Sequence, residues 1–264
     1  MMNKSRKIGM AVIGFGAMHN FGWMHSTWIS ACPNAALIGI CDQSPERREA
    51  ARAAFPECRV YASTAEIWAD GEVEAVSIVT PNFTHCPLAC EAFAHGRHVL
   101  CENALGLNAA ECDRMVRAAE AAGKSLCVNH NRRHDGNYRA IREIVDRGLI
   151  GDIFQIELSP AWYMNPFPSA TPELWWADKN RSGGLFFYYG SQAFDWIIDL
   201  IPEPVVSVMG YAQKRRWHNI TNEDQVTAII QFANGAVANF TESYIDASGK
   251  PFWRILGSKG AIVD

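Results

Sequence analysis

The sequence predicts an α/β protein in two parts, a parallel sheet wound with helices and then a mostly antiparallel open sheet. Three observations predict it. Over the first 128 residues, strand-like and helix-like segments alternate at the spacing of right-handed crossover units. After residue 130, strand-like runs succeed one another, punctuated by the hairpin-type turns Asn234-Gly235 and Ser248-Gly249. The 264 residues are enough to bury two cores. The expected domains are residues 1–130 and residues 131–264.

In the first part the strand runs are Ile8–Ile13, Ala36–Cys41, a weaker one near Arg59–Tyr61, Val76–Val79, His98–Cys101 and Ser125–Val128. Helical patterns at Ser44–Ala54, Thr64–Ala69, Pro87–His95 and Asn108–Ala121 lie between them. The last of these has Asn108 as cap, Glu111 at the capping-box position and Gly123 just past its end. In the second part NYRAIREIVDRGLIG reads as a helix with a glycine stop, Ile153–Leu158 as a strand, and 160–184 as a long loop. A helix at Ser191–Leu200 precedes strands at Val205–Gln213, Gln225–Phe232, Ala236–Tyr244 and Trp253–Leu256.

Composition bounds the function. With 28 acidic and 24 basic residues the net charge is −4, which argues against bulk binding of nucleic acid or anionic membrane. No apolar run approaches the ~20 residues of a membrane span. The basic start MMNKSRK leads into a glycine-broken strand and turn, not a secretory signal. All eight cysteines fall before residue 128, several inside apolar runs and none in a CxxC pair, which suits a reduced, cytoplasmic protein. His85, Cys86 and Cys90 could share a helix face. Helix packing explains them better than a metal, and none is expected.

The chemistry concentrates where strands end, because ligands of open parallel sheets bind at the carboxyl edge. The turn VIGFGAMH follows the first strand and precedes a helix, so Gly14, Gly16, Ala17 and Met18 are candidate contacts for a pyrophosphate. The third position of the GxGxxG fingerprint is His19, a residue expected to hold helix and strand further apart. Asp42 ends the second strand, where an acid accepts hydrogen bonds from a ribose, and its charge favours NAD over NADP. Arg47 and Arg48 follow it and could still reach a phosphate. Thr80, Pro81 and Asn82, with His85 beyond them, close the fourth strand; Glu102 and Asn103 close the fifth.

These stretches together resemble the Gfo/Idh/MocA family (glucose–fructose oxidoreductase, inositol dehydrogenase, rhizopine catabolism) over nearly the whole chain. The resemblance rests on GFGAM, ICDQSPER, EAVSIVTPNFTH, GRHVLCEN, VNHNRR, SGGLFFYYGSQAFD, NGAVANF and LGSKG. It implies a Rossmann domain followed by an α/β domain, and NAD(P)-dependent oxidation or reduction of a sugar, polyol or related small molecule. It also implies that Thr80, Pro81, Asn82, His85 and Glu102 lie near the nicotinamide half of the cofactor. Family members usually continue past LGSKGAIVD, so the chain is expected to be either a short form or an incomplete one.

The sequence departs from the family at its reactive positions. Where Glu-Lys-Pro is usual it has Glu102-Asn103-Ala104, and where Asp-x-Gly-x-His is usual it has Tyr188-Tyr189-Gly190-Ser191-Gln192. Alcohol oxidation needs a proton acceptor, and Asn and Gln do not titrate near neutrality. Three readings follow: another base, NAD-dependent glycoside hydrolysis by transient oxidation, or a dinucleotide-binding protein without catalysis.

Tyr188, Glu102, Asn103 and Gln192 are the candidate catalytic residues. Tyr188 is the first choice for proton transfer if a nearby cation lowers its pKa. Tyr189, His130, His134, His218 and Asp195 are further candidates as base, and His130, Arg132, Asp195 and Trp176 as substrate contacts. Each has a plainer structural reading: core aromatics for the tyrosines, a surface position for His134, a cap for Asp195. The Trp- and Tyr-rich loop could stack sugar rings or simply cover the sheet. The run KRRWH, 214–218, is expected to be an exposed strand end. An apolar open sheet face would call for a cover, and a homo-oligomer, dimer or tetramer, is expected.

Overall fold

The computed structural model describes residues 6–16, 20–163, 170–171 and 173–264. It divides into two compact units, Met1–Asn129 and His130–Asp264. Ala17, Met18 and His19 of the glycine turn lie outside the described residues.

The first unit runs β1 (Ile8–Ile13), α1 (Phe21–Ala31), β2 (Ala35–Cys41), α2 (Pro45–Ala54), β3 (Arg59–Tyr61), α3 (Thr64–Ala69), β4 (Ala75–Ile78), α4 (His85–Ala94), β5 (His98–Cys101), α5 (Ala109–Ala122) and β6 (Leu126–Val128). The strands form one parallel sheet in the order β3-β2-β1-β4-β5-β6. This is the doubly wound Rossmann order, with the switch point between β1 and β4. Successive β1 residues feed opposite layers. Ala11 and Ile13 pack with Phe93 and Met115, Val12 with Ile29 and Ala51.

Local chemistry sets the helix ends. Ser44 accepts from the Arg47 N–H ahead of Pro45, and Asn108 accepts from Glu111 N–H at 2.9 Å. The Glu111 carboxylate reaches Leu107 N–H rather than the cap residue itself. Gly123, at φ 61°, closes α5.

The glycine turn corrects the sequence reading. α1 is a regular helix of 11 residues, and Gly22 lets it approach the strand. A Cβ at Gly22 would collide with the carbonyl oxygen of Gly14 and lie 2.8 Å from the Phe15 Cα. The close-packing glycine stands six positions after Gly16, against three in the usual fingerprint.

The second unit runs α6 (Gly136–Asp146), β7 (Ile153–Leu158), α7 (Lys179–Ser182), α8 (Leu185–Tyr188), α9 (Gly190–Leu200), β8 (Val205–Gln213), β9 (Gln225–Phe232), β10 (Val237–Ser243), β11 (Trp253–Gly257) and β12 (Gly260–Val263). The sheet order is β12-β11-β7-β10-β9-β8, with β7 and β10 parallel and every other pair antiparallel. Its covered face buries Val226, Ile230, Ala238 and Phe240 together with Trp196 and Ile197 of α9.

Two expectations need amending. The stretch 160–184 is not simply a loop, since it holds a 3-10 turn, Trp175–Ala177, and α7. β12 had no separate sequence signal because its four residues depend on the turn after β11. Nor is the open face uniformly apolar. Met209 pairs with Ile229 there, but Thr227, Gln231 and Asn239 share the surface.

Candidate functional site

In the first unit the candidate residues gather at the carboxyl ends of β1, β2, β4 and β5. Gly14 has φ 102°, and a Cβ on it would stand 2.6 Å from the Val79 carbonyl oxygen, so only glycine fits the turn. Above Gly16 no described atom lies within 4 Å of where a Cβ would be, which leaves its backbone open to a ligand. The Asp42 carboxylate accepts from Phe15 N–H at 2.7 Å and from Ser44 N–H at 2.9 Å. A carboxylate has about four acceptor positions, so capacity remains for ribose hydroxyls.

Arg48 is turned away from this edge, donating to the carbonyl oxygens of Asp42 and Gln43. Arg47 lines a cleft of about 400 Å³ with Phe15, Gly16, Asn20 and Trp23. A glycine turn, a helix start and an acid on the neighbouring strand at the switch point form a donor and acceptor set that fits a dinucleotide.

Glu102 is the anchor of a network that sequence reasoning missed. Its Oε1 lies 2.7 Å from His25 Nε2 and accepts from Asn129 Nδ2 at 2.6 Å. Its Oε2 accepts from Asn103 through the backbone N–H at 3.1 Å and Nδ2 at 3.2 Å. His25 is buried and meets Ser77 Oγ at 2.7 Å through its other nitrogen. Burial alone would raise the Glu102 pKa, but the hydrogen bonds from His25, Asn129 and Asn103 hold it below the usual value. Glu102 is therefore a fixed carboxylate, a poor fit to the proton-transfer role considered for it. Asn103 orients Glu102 and precedes a cis peptide bond to Ala104.

His85 is fully buried, with Nδ1 2.8 Å from Ala104 O and Nε2 2.8 Å from Thr80 O. Burial holds its pKa below the ordinary histidine value. It ties the turn after β4 to the turn after β5, and both ring nitrogens already face backbone carbonyls. This corrects its assignment as a direct cofactor contact. Thr80 Oγ1 meets Thr84 Oγ1 at 2.6 Å, and Pro81 and Asn82 lead into the 3-10 turn Asn82–Thr84.

In the second unit, Asp195 is committed to an ion-pair cluster. Arg133 grips it with Nε at 2.6 Å and a terminal nitrogen at 2.7 Å, and His130 Nδ1 lies 3.2 Å away. The capping reading of Asp195 is the one this geometry favours. Arg132 pairs with Asp135 and lies 5.6 Å above the Tyr189 ring. Trp176 packs into a satellite cluster with Ala170, Trp217 and Ile220. Trp162 stacks on Tyr244 at 5.7 Å. His134 and His218 are exposed.

Tyr188 is 52% exposed and faces Tyr244 edge-on at 6.2 Å. Burial of its ring and the charge of Glu242 push its pKa up, against a smaller opposing effect of Arg132. The lowered pKa that proton transfer by Tyr188 alone would need is therefore not what its surroundings produce. Gln192 is nearly buried, and its Oε1 has no hydrogen-bond partner among the described residues. The run at 214–218 is not a free strand end. The backbone N–H groups of Arg215, Arg216 and Trp217 converge on Asp224 Oδ2 at 2.7, 2.5 and 3.0 Å.

Among the described residues no group of three or more His, Cys, Asp or Glu could hold a metal, and no helix is long and apolar enough to cross a membrane.

Residues 8–130 match the oxidoreductase family with an NAD-binding Rossmann fold, and residues 138–263 match the GFO/IDH/MocA C-terminal domain. An inositol 2-dehydrogenase of Rhizobium meliloti is 30% identical over 91% of this chain and 71% of its own length. An uncharacterised oxidoreductase of Schizosaccharomyces pombe is also 30% identical, and the match spans 52% of its length. Among solved structures, an NAD-binding protein from Listeria innocua superposes with TM-score 0.87 at 28% identity, over 98% of this chain and 71% of that one. The WlbA dehydrogenase of Bordetella pertussis, in complex with NADH and UDP-GlcNAcA, gives 0.86 at 27%, over 98% and 78%. The two domain matches cover both units, and the chain belongs to the Gfo/Idh/MocA oxidoreductase family.

Proposed function

We propose that the chain is an NAD-dependent oxidoreductase acting on a sugar, polyol or related hydroxylated molecule. The observation that carries this reading is the carboxyl edge of the first sheet. There Gly14, Gly16, Asp42 and the Glu102 network stand around the switch point in an arrangement suited to a dinucleotide. When bound, the nicotinamide would accept or return a hydride. Asp42 would hold the ribose hydroxyls, and the Gly14–Gly16 backbone would lie along the pyrophosphate. Thr80, Pro81 and Asn82 would flank the nicotinamide half, with Glu102 fixing the adjacent turn.

NAD is preferred over NADP in this reading, because the Asp42 charge repels a 2′-phosphate and Arg48 is turned back. The polyol class is supported by similarity to an inositol 2-dehydrogenase, and a nucleotide sugar by similarity to WlbA. A homo-oligomer is part of the same proposal, with a second copy covering Met209, Tyr211 and Ile229, all exposed on the open sheet face. The test is a screen of inositols, sugars and sugar acids with NAD, following nicotinamide absorbance. Net NADH formation supports the reading. Turnover of glycosides that needs NAD but forms no NADH supports transient oxidation instead.

A further inference from the structure

Two exposed rings of the second unit rest on one fixed aromatic stack. Trp162 and Tyr188 are 39% and 52% exposed, and both lean on Tyr244. Trp162 stacks on the Tyr244 ring at 5.7 Å, and Tyr188 meets it edge-on at 6.2 Å. Buried Trp217 lies parallel to Tyr244 at 5.0 Å. The backbone fixes this arrangement. Trp162 N–H donates to Ser243 O at 2.8 Å, beside the bridge between Ala161 and Ser243. Buried Asp224 clamps the other two rings. Its carbonyl oxygen accepts from Tyr244 N–H at 3.0 Å, and its Oδ2 accepts from Trp217 N–H at 3.0 Å.

Rings held this way offer contact area with little side-chain entropy left to lose. The face of an aromatic ring carries the negative lobe of its quadrupole, which suits C–H groups better than hydroxyl oxygens. A cyclitol or pyranose has both kinds of surface, C–H groups on its flat face and hydroxyls around its edge. Polar groups near the two rings can meet that edge. Tyr189 meets Trp162 edge-on at 6.1 Å and carries Arg132 over its ring, and Arg132 pairs with Asp135. One turn past Tyr189, the nearly buried Gln192 has an Oε1 without a hydrogen-bond partner among the described residues. That acceptor is open to a ring hydroxyl. The Tyr188 phenol, which burial and the Glu242 charge keep protonated, adds a donor.

We propose that Trp162 and Tyr188, backed by Tyr244, form a stacking floor for the C–H face of a cyclic substrate, a cyclitol or pyranose. The floor selects rings over open-chain polyols. The proposal rests on the oxidoreductase reading above and narrows its substrate class. An open-chain polyol carries the same hydroxyls but has no preformed flat face, and must freeze several bonds to make one. No proton or electron moves at the floor, which binds and orients the ring. Tyr188 thus has a role that needs no lowered pKa.

The experiment is saturation-transfer NMR on the purified chain with NADH present, so that no oxidation occurs. The probes are myo-inositol, methyl β-glucopyranoside and the open-chain sorbitol. Irradiating the aromatic protons is expected to enhance the ring C–H signals of the two cyclic probes. Sorbitol is expected to bind on the order of 10-fold more weakly. Trp162→Ala and Tyr188→Ala should each lose on the order of 10-fold in affinity for the rings, while Tyr188→Phe, which keeps the aromatic face, loses far less. Melting curves check that each variant is folded. Should Trp162→Ala prove unfolded, Trp162→Leu, apolar but without an aromatic face, decides in the same way. Equal binding of sorbitol, unchanged affinity in both Ala variants, or no binding of either ring would overturn the proposal. Light scattering in which both Ala variants dissociate an oligomer would give the floor to a second copy, and would overturn it too. The two readings fail separately. Rings that bind at the floor but form no NADH when NAD is supplied would contradict the oxidoreductase reading and leave the floor. NADH formation whose KM is unchanged in both Ala variants would do the reverse.

Discussion

His25 Nε2 lies 2.7 Å from Glu102 Oε1, inside the first unit and with the imidazole almost wholly buried. The contact joins α1 to the end of β5 across 77 residues of sequence. Replacing His25 by Ala leaves a largely buried carboxylate short of a partner. The expected cost is ~3 kcal/mol of stability, measured by urea denaturation. A loss below ~0.5 kcal/mol would show that Asn129 and Asn103 suffice to hold Glu102.

Glu102 also sets a pH dependence. Its folded pKa lies below the ordinary glutamate value, so the native state binds its proton less readily than the unfolded chain. The stabilisation is present above the unfolded carboxylate pKa and is lost as pH falls through the folded value. Wild type should therefore exceed Glu102→Gln in stability near neutral pH, and the gap should close in acid. A constant gap in thermal denaturation across that range would contradict the assignment.

Gly22→Ala tests the close approach of α1 to the glycine turn. The added methyl would press on the Gly14 carbonyl and the Phe15 Cα, both backbone and neither able to swing aside. Destabilisation of about 1–3 kcal/mol is expected, with weaker dinucleotide binding because the turn itself is displaced. A neutral substitution at Gly22, measured by melting and by cofactor titration, would show that α1 can shift freely.

Much of the fold was legible because hydrophobic period and punctuation agree. Strand and helix alternation marked β1 to β6, and Asn108 with Gly123 bracketed α5 to within a residue. A fixed fingerprint looks for its third glycine at position 19 and so passes over Gly22. Gly22 becomes recognisable only when the Gly14 carbonyl is seen beneath it. At the candidate site, Asp42 and Glu102 were visible as acids ending strands. His25, Ser77 and Asn129 were not, because they come together only through long-range packing. Glu242 did leave a signal: an acid in the inward phase of VANFTES, where Ala238 and Phe240 point to the core. Tyr188 was found, but the direction of its pKa follows from burial of its ring and from Glu242, neither of which the local sequence shows.

The open sheet face gives a solution test. Met209 and Tyr211 are 55% and 56% exposed, and Ile229 sits beside them. Light scattering is expected to show a dimer or larger at micromolar concentration, and Met209→Asp to shift it toward monomer. A compact monomer of the wild-type chain would contradict the oligomer proposal.

The account depends most on the dinucleotide edge of the first unit, and calorimetric titration of the purified chain with NAD and with NADP tests it directly. Saturable binding of NAD, tighter than NADP, is expected. Asp42→Ala should weaken NAD by on the order of tenfold, as the ribose loses a charged acceptor. That substitution should also narrow the gap between the two cofactors. No measurable heat or displacement with either one would contradict the central claim.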